Sequence, residues 1–409
     1  MSEWEAPLVL DSSAVRVKHR RLLLRKIWSA REISRAELAR QTGMSRSTVS
    51  SITQELLDTG LITIRRRGVS SGGRRPVMLA FEDDSFVSIG VDLGASHVLV
   101  TVTNLRGVVV GQRSEGLNIN DGPEPVMDVV KGLIRMILRD VNRDLDDVVG
   151  IGVAVPSPVD PKRPGHLSDL ILPGWSDFSI TDNLRAAFDK PVYVDNDANM
   201  GALAELWWGH GVELDTLAYV KIGTGVGAGL IIERKVFRGT AGLAGEVGHF
   251  ALDPSGPKCI CGLNGCINVT LGSKQLVERY NSYLEEHEER VETITQLVTQ
   301  SRNGNELAQQ VFRDAGSQLA TGVANLSNLF DPAVIVLGGA ITGAGNVFLD
   351  SVREELAKRV RLISYEPESI RTSEMGAESI AIGAATMVLD SALQQPELLL
   401  SKKIQQEAV

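Results

Sequence analysis

Along the first 82 residues the apolar positions follow a helical period three times and then alternate. Arg16 to Ala30 is a basic amphipathic stretch, with Val15, Leu22, Leu23, Ile27 and Trp28 as its apolar members. Ser34 precedes a second periodic stretch with Glu37 three residues on, the spacing of a capping box, and Leu38 and Ala39 facing inward. Thr42-Gly43-Met44 breaks the pattern, and Gly43 can take the positive φ of a tight helix-to-helix turn. Ser45 is placed to cap a third helix with Val49, Ile52, Leu56 and Leu57 inside and Gly60 at its end. Leu61 to Arg67 then reads as a strand, Gly68 to Gly73 as a loop and Pro76 to Phe81 as a returning strand. Helix-turn-helix followed by a β-hairpin predicts a winged helix-turn-helix over residues 1–82.

From Phe86 the pattern changes to strands that end in glycine turns. Phe86 to Asp92 leads into Leu93-Gly94-Ala95-Ser96, followed by strands at Val98 to Thr103 and Val108 to Gln112. Leu217 to Ile222 leads into Gly223-Thr224-Gly225-Val226-Gly227-Ala228-Gly229 and the strand Leu230 to Glu233. A third step runs from Val334 to Leu337 into Gly338-Gly339-Ala340. Backbone N–H groups close on an anion only where no Cβ intrudes, so the first two turns fit phosphate; the bland alternatives are an ordinary Asp-x-Gly hairpin for the first and a glycine-rich barrel corner for the second. No Gly-Lys-Ser/Thr follows, which excludes a Walker loop. Three such steps predict two similar α/β lobes around a nucleotide-sized cleft.

Between the first two steps, Val192 to Val194 runs into Asp195-Asn196-Asp197-Ala198-Asn199 at the start of a helix from Met200 to Trp208. One N-cap needs one such residue, and here are four in five positions, at a strand edge suited to hydroxyl recognition or proton abstraction. Gln310 to Phe330 reads as a packed helix.

The net charge of −9 over 409 residues hides a division. Residues 1–80 hold 15 Lys and Arg against 7 Asp and Glu, a balance of +8 that leaves −17 for the remainder. A basic end on an acidic body points to a double-stranded DNA reader attached to something that is not one. Its contacts are expected from Arg46, Ser47, Thr48, Ser50 and Ser51 on the third helix, and from Arg65, Arg66, Arg67, Arg74 and Arg75 around the wing. The composition, 43% hydrophobic and 23% charged, excludes a mainly disordered or fibrous chain. No apolar run reaches about 18 residues and the first residues carry acids, so a cytoplasmic protein with no membrane partner is expected.

All three cysteines lie between Cys259 and Cys266, just after Gly245-Glu246-Val247-Gly248-His249. His249, Cys259, Cys261 and Cys266 make a four-ligand soft-donor set for structural zinc, with no open position for a catalytic water; an incidental redox pair is the alternative.

These motifs together resemble the ROK family (repressors, open reading frames and sugar kinases), over essentially the whole chain. Those carrying it are Asp92-Leu93-Gly94, Asp195 to Asn199, Gly223 to Gly227, Gly245 to His249 and the Cys-x-Cys-Gly-x-x-Gly-Cys run. The resemblance implies a two-lobed actin-like, hexokinase-like (ribonuclease H-like) ATPase fold. Its lobes would span residues 83–200, completed by a C-terminal helix near 376–392, and 201–375 with the zinc site and the dimerisation surface. By the same resemblance Asn196, Asp197, Glu246 and His249 would bind sugar hydroxyls, with Asp197 at the kinases' general-base position. Asp92, Gly94, Gly223, Thr224, Gly225 and Gly338 match positions that hold ATP and magnesium in the kinases.

Three departures stand out. The kinases' Asp-x-Gly-Gly-Thr-Lys is here Asp92-Leu93-Gly94-Ala95-Ser96-His97, which adds a Cβ at Ala95 and removes a permanent charge at His97. The glutamate two residues past the last cysteine is Asn268, an amide that can still meet a hydroxyl. Ile171 replaces an asparagine before Leu172-Pro173-Gly174-Trp175. The expected function is a sugar-responsive regulator, a repressor acting as a homodimer or dimer of dimers on a palindromic operator. Its effector would be a sugar or sugar phosphate, and the alternative is a sugar kinase with an accessory DNA-binding domain.

Overall fold

The computed structural model describes residues 12–67, 77–359, 366–396 and 399. The N-terminal module contains α1 (Ser12–Ala30), β1 (Glu32–Ser34), α2 (Arg35–Thr42), α3 (Arg46–Asp58), β2 (Ile62–Arg67) and β3 (Val77–Phe81). The expected caps form: Ser34 accepts from the Glu37 N–H and Ser45 from the Thr48 N–H, and Gly43 turns between the helices at φ 69°. The Glu37 side chain does not return to the cap, because Arg40 and Gln41 bind it instead. Two sequence expectations need correction. The first helix begins at Ser12, and a third strand, β1, pairs antiparallel with β3 to make the sheet order β1-β3-β2. Gly68 to Gly73, Arg74 and Arg75 lie outside the described residues.

The body follows as β4 (Val87–Leu93), β5 (His97–Asn104), β6 (Val109–Gly116), α4 (Pro123–Asp140), β7 (Val148–Val155), α5 (Ile180–Phe188), β8 (Val192–Asn196) and α6 (Asp197–Trp208). Its second half contains β9 (Leu217–Ile222), β10 (Val226–Ile232), β11 (Lys235–Val236), α7 (Asn268–Leu271), α8 (Ser273–Ser282), α9 (Ile294–Arg302) and α10 (Glu306–Phe330). It closes with β12 (Ile335–Gly338), α11 (Asn346–Arg359), β13 (Ile370–Thr372) and α12 (Ser379–Gln394). The two five-stranded sheets run β6-β5-β4-β7-β8 and β11-β10-β9-β12-β13. In each, three antiparallel strands precede two strands added in parallel, so one architecture occurs twice.

Helices α6 and α12 cross between the sheets, and small residues let them approach. A Cβ on Gly152 of β7 would stand 2.0 Å from the Ala384 carbonyl oxygen, and one on Gly383 would stand 1.8 Å from that of Met200. Here glycine is required by contact distance. Residues 376–394 are long and apolar enough to cross a membrane, but 72% of that window is buried in the protein, which marks a core helix.

The core of the N-terminal module is continuous with the body. Leu23, Leu24 and Ile27 of α1 share one apolar cluster with Leu105, Val388, Leu389 and Leu393 of the body.

Candidate functional site

The strand edges and the start of α6 bring Asp92, Asp197 and Lys221 together. Asp92 is the buried penultimate residue of β4, and Asp197 is the first residue of α6. Lys221 projects from β9 and forms an ion pair with Asp197. Burial works against the Lys221 ammonium, but the Asp197 and Asp92 carboxylates overcome it and hold it above its ordinary value. Burial likewise lifts the Asp197 carboxyl, against the pull of Lys221. The His97 imidazole sits 3.5 Å from Asp92, and that contact raises its basicity.

The polar run before α6 divides its labour. Asn196 is the N-cap, accepting from the Ala198 and Asn199 N–H groups, while its Nδ2 donates to the Ser157 carbonyl. Asp195 pairs with Arg238 and accepts from Asn199 Nδ2. Within this run Asp197 is the residue that meets Lys221, so three of the four polar side chains do structural work.

The loop after β11 supplies the opposite wall. Gly245 lies against β10, its carbonyl accepting from the Ala228 N–H at 2.7 Å. Burial and the neighbouring Asp197 carboxylate push Glu246 up to about 7. Glu246 lies 3.8 Å from His249 Nε2. The ligand atoms of His249, Cys259, Cys261 and Cys266 all lie within 4.8 Å of one another. His249 Nδ1 is 3.4 Å from Cys259 Sγ, and Cys261 Sγ is 3.6 Å from Cys266 Sγ. Zinc–sulfur bonds of about 2.3 Å at tetrahedral angles put sulfurs roughly 3.8 Å apart, so this cluster fits zinc. A metal on Nδ1 would leave Nε2 as the nitrogen on the Glu246 side.

Asn268 joins this loop to the glycine hairpin. Its Oδ1 accepts from the Val226 N–H at 2.6 Å, and its Nδ2 is 3.5 Å from His249 Nε2. The oxygen of the amide expected to meet a hydroxyl is thus already engaged, and its Nδ2 faces His249. Gly223 and Gly225 close the hairpin through the Gly223 N–H and the Gly225 carbonyl, with Thr224 exposed at the tip. Gly338 has a packing reason, since its Cβ would stand 1.8 Å from the Tyr219 hydroxyl. Ala95 packs partly buried against the first lobe's core, so its methyl is not what covers the first turn.

On the DNA-binding module, Arg46, Ser47, Ser50 and Ser51 are exposed and Thr48 is half-buried. Ser45 Oγ lies 2.8 Å from both Ser47 Oγ and Thr48 Oγ1. Arg16 and Arg20 reach across from α1 to Glu55 of α3. Arg65 lies 3.7 Å from Glu82 on an exposed edge. Arg66 and Arg67 continue β2 opposite Met78 and Val77.

Sequence reasoning missed three things. Lys221 is one; its signal was a lone charge in the apolar strand Leu-Ala-Tyr-Val-Lys-Ile, two residues before a glycine turn. The second is the contact of His97 with Asp92. The third is a tryptophan triad at the far end of α6. Trp28 lies 5.3 Å from Trp207 and 6.1 Å from Trp208, between ring centroids. Its Nε1 donates to the Leu105 carbonyl at 2.9 Å, and Arg106 donates to the Trp28 carbonyl and covers the ring at 4.6 Å. A cavity of about 1750 Å³ between α1 and the body is lined by these rings and by Lys18, Arg21 and Arg25.

Two lobes of matching strand order, crossed by small-residue helices and carrying a winged helix, define an actin-like body fused to a DNA reader. Residues 88–391 match the ROK family model and residues 18–63 the winged helix-turn-helix DNA-binding model. The chain belongs to the ROK family. It is 31% identical to the xylose repressor of Bacillus subtilis, covering 93% of this chain and 97% of that one. It is 28% identical to the DNA-binding transcriptional dual regulator NagC of Escherichia coli, over 87% and 88%. A ROK family transcriptional regulator homologous to the E. coli MLC protein shares its fold, with a TM-score of 0.76 at 24% identity over 95% of this chain and 99% of that one. A ROK family glucokinase from Streptomyces griseus, in complex with glucose and AMPPNP, gives a TM-score of 0.65 at 26% identity, over 74% and 98%.

Proposed function

We propose that this protein is a cytoplasmic transcriptional repressor of carbohydrate-metabolism genes, whose operator affinity is set by a sugar or sugar phosphate bound between the lobes. One observation carries the reading: α6 starts at Asp197 in the cleft and ends at Trp207 and Trp208, against Trp28 of the DNA-binding module. Twelve residues of helix span about 18 Å as one rigid element. Movement of its first turn is therefore delivered to α1. A sugar shifts the equilibrium only by its different affinities for the two arrangements.

In this reading Asp197, Glu246 and His249 bind hydroxyls, with Asn196 and the Nδ2 of Asn268 at the margin. Zinc on His249, Cys259, Cys261 and Cys266 holds the loop in shape, a supporting role outside the sugar contacts. A homodimer places two α3 helices and two wings on half-sites one or more helical turns apart. Asp197, retained at the general-base position, is what favours the kinase reading; its engagement by Lys221 weighs against it. A coupled ATP-turnover assay across hexoses is expected to read background.

The reading is tested by fluorescence anisotropy on operator DNA at fixed salt, because phosphate contacts dominate affinity. One sugar of a panel is expected to change affinity by roughly 5- to 150-fold, the usual range of allosteric coupling. Glu246→Ala should remove that change without altering sugar-free DNA affinity. Tight DNA binding indifferent to every sugar and sugar phosphate would overturn the sugar-responsive reading.

Trp28→Ala makes a second expectation. Removing the ring severs α6 from α1, so DNA affinity without sugar should stay near wild type while the sugar-induced change shrinks. An undiminished sugar effect in a folded Trp28→Ala protein would show that the signal travels by another path.

A further inference from the structure

A phosphate binds a glycine turn by lying against backbone N–H groups where no Cβ stands. In this molecule a basic side chain of the chain's own already lies beside each of these turns. The His97 ring lies over Gly94, where a Cβ would stand 2.3 Å from its Cε1. The Lys221 Nζ lies 3.8 Å from where a Cβ on Gly223 would stand. Each of these side chains is tied to a carboxylate, His97 to Asp92 and Lys221 to Asp197. Asp92 also acts on Lys221.

The consequences follow from charge. Two buried carboxylates in one cleft repel each other and require counter-charge. In an enzyme that handles magnesium nucleotide, the ion supplies part of it. Here an ammonium tethered to β9 supplies it without any loss of translational freedom on binding. The ammonium also engages the Asp197 carboxylate oxygen that a substrate hydroxyl would have to reach, so that hydroxyl would compete with the ion pair. A nucleotide would have to displace the imidazole from Gly94 and break an ion pair before its phosphates reached either turn.

We propose that Lys221 and His97 are built-in substitutes for magnesium nucleotide, occupying both phosphate turns so that the cleft takes a sugar with neither metal nor nucleotide. This rests on the reading of the cleft as a sugar site. A lysine beside a glycine turn could instead serve as a phosphate ligand, as in P-loop proteins, and the test separates the two.

The experiment titrates full-length protein with the magnesium complex of adenylyl imidodiphosphate by calorimetry. It compares wild type, Lys221→Met, His97→Thr and the double variant, each checked by thermal melting. Wild type is expected to show no saturable binding below millimolar, and the double variant should bind at least about tenfold more tightly, in a magnesium-dependent way. His97 is half-exposed, so His97→Thr should fold even if Lys221→Met does not, and by itself should raise nucleotide affinity. Micromolar binding to wild type would overturn the proposal, as would weaker binding on Lys221→Met or no change in any folded variant. A parallel arm adds the sugar panel to the operator complex in EDTA without nucleotide, where wild type should respond fully. A response that appears only with magnesium nucleotide overturns the proposal. If no sugar or sugar phosphate acts under any condition the function assigned above fails, while the nucleotide titrations still decide the roles of Lys221 and His97.

Discussion

Replacing Cys266 with serine is expected to empty the metal cluster and abolish the sugar response while leaving operator affinity within about twofold of wild type, since distant sites behave independently. Cys266 is fully buried and its sulfur is 3.6 Å from Cys261 Sγ. The loop it closes is ordered otherwise by turn hydrogen bonds within itself, such as Gly265 N–H to the Pro257 carbonyl and Leu252 N–H to the Gly265 carbonyl. Among the described residues its ladder contacts are the isolated bridges Ala251–Cys266 and Lys258–Asn264, and Ile260 and Leu263 at its tip are more than half exposed. In small zinc domains, metal binding supplies about 10 kcal/mol or more of folding energy. Here the loop is docked on a folded body, so the loss should be local: His249 and Glu246 lose their placement while the winged helix keeps its own. Elemental analysis should read about one zinc per wild-type chain and none in Cys266→Ser. A zinc-free variant that still responds to sugar like wild type would remove the metal from the account.

The second large effect is expected from Gly383→Ala. Its new methyl would stand 1.8 Å from the Met200 carbonyl oxygen, and that obstacle is helix backbone, with no side chain to swing aside. Helices α6 and α12 would have to separate where both lobes meet, and overpacking of this kind costs about 3 kcal/mol. Gly132→Ala is the matched control. It lies in α4 with nothing within 4 Å of its Cβ position, so it should be stabilising by about 0.5 kcal/mol or more. Urea unfolding of the two variants reads the contrast. A Gly383→Ala protein as stable as the Gly132→Ala control would mean that the crossing yields at no cost.

What the sequence revealed was local or compositional. Ser34, Gly43 and Ser45 announce caps and a turn because each acts on its own next few residues. The Cys and His cluster was legible because its four members lie within 18 positions of one another and share a rare donor chemistry. What stayed hidden depended on distant partners. The strand β1 is three residues long and exists because β3, more than 40 positions later, pairs with it. Thr53 of α3 is buried, and Arg35, 18 positions earlier, donates to its hydroxyl. Asp195, Asn196 and Asn199 read as a hydroxyl-binding cluster because Arg238 and Ser157, which engage two of them, lie about 40 residues away. Lys221 was missed for the same reason, since a single lysine in a strand says nothing until Asp197 faces it.

The single apolar cluster that unites Leu23, Leu24 and Ile27 with Leu105, Val388 and Leu393 sets a rule for engineering this molecule. The reader is not a cartridge that can be cut out near residue 82 and fused to a foreign sensor. Excised there, it would carry bare leucines and an unpartnered tryptophan into solvent. A working chimera must bring along the Leu105 turn, the last turn of α6 and the C-terminal half of α12, so that the graft crosses the chain at several points.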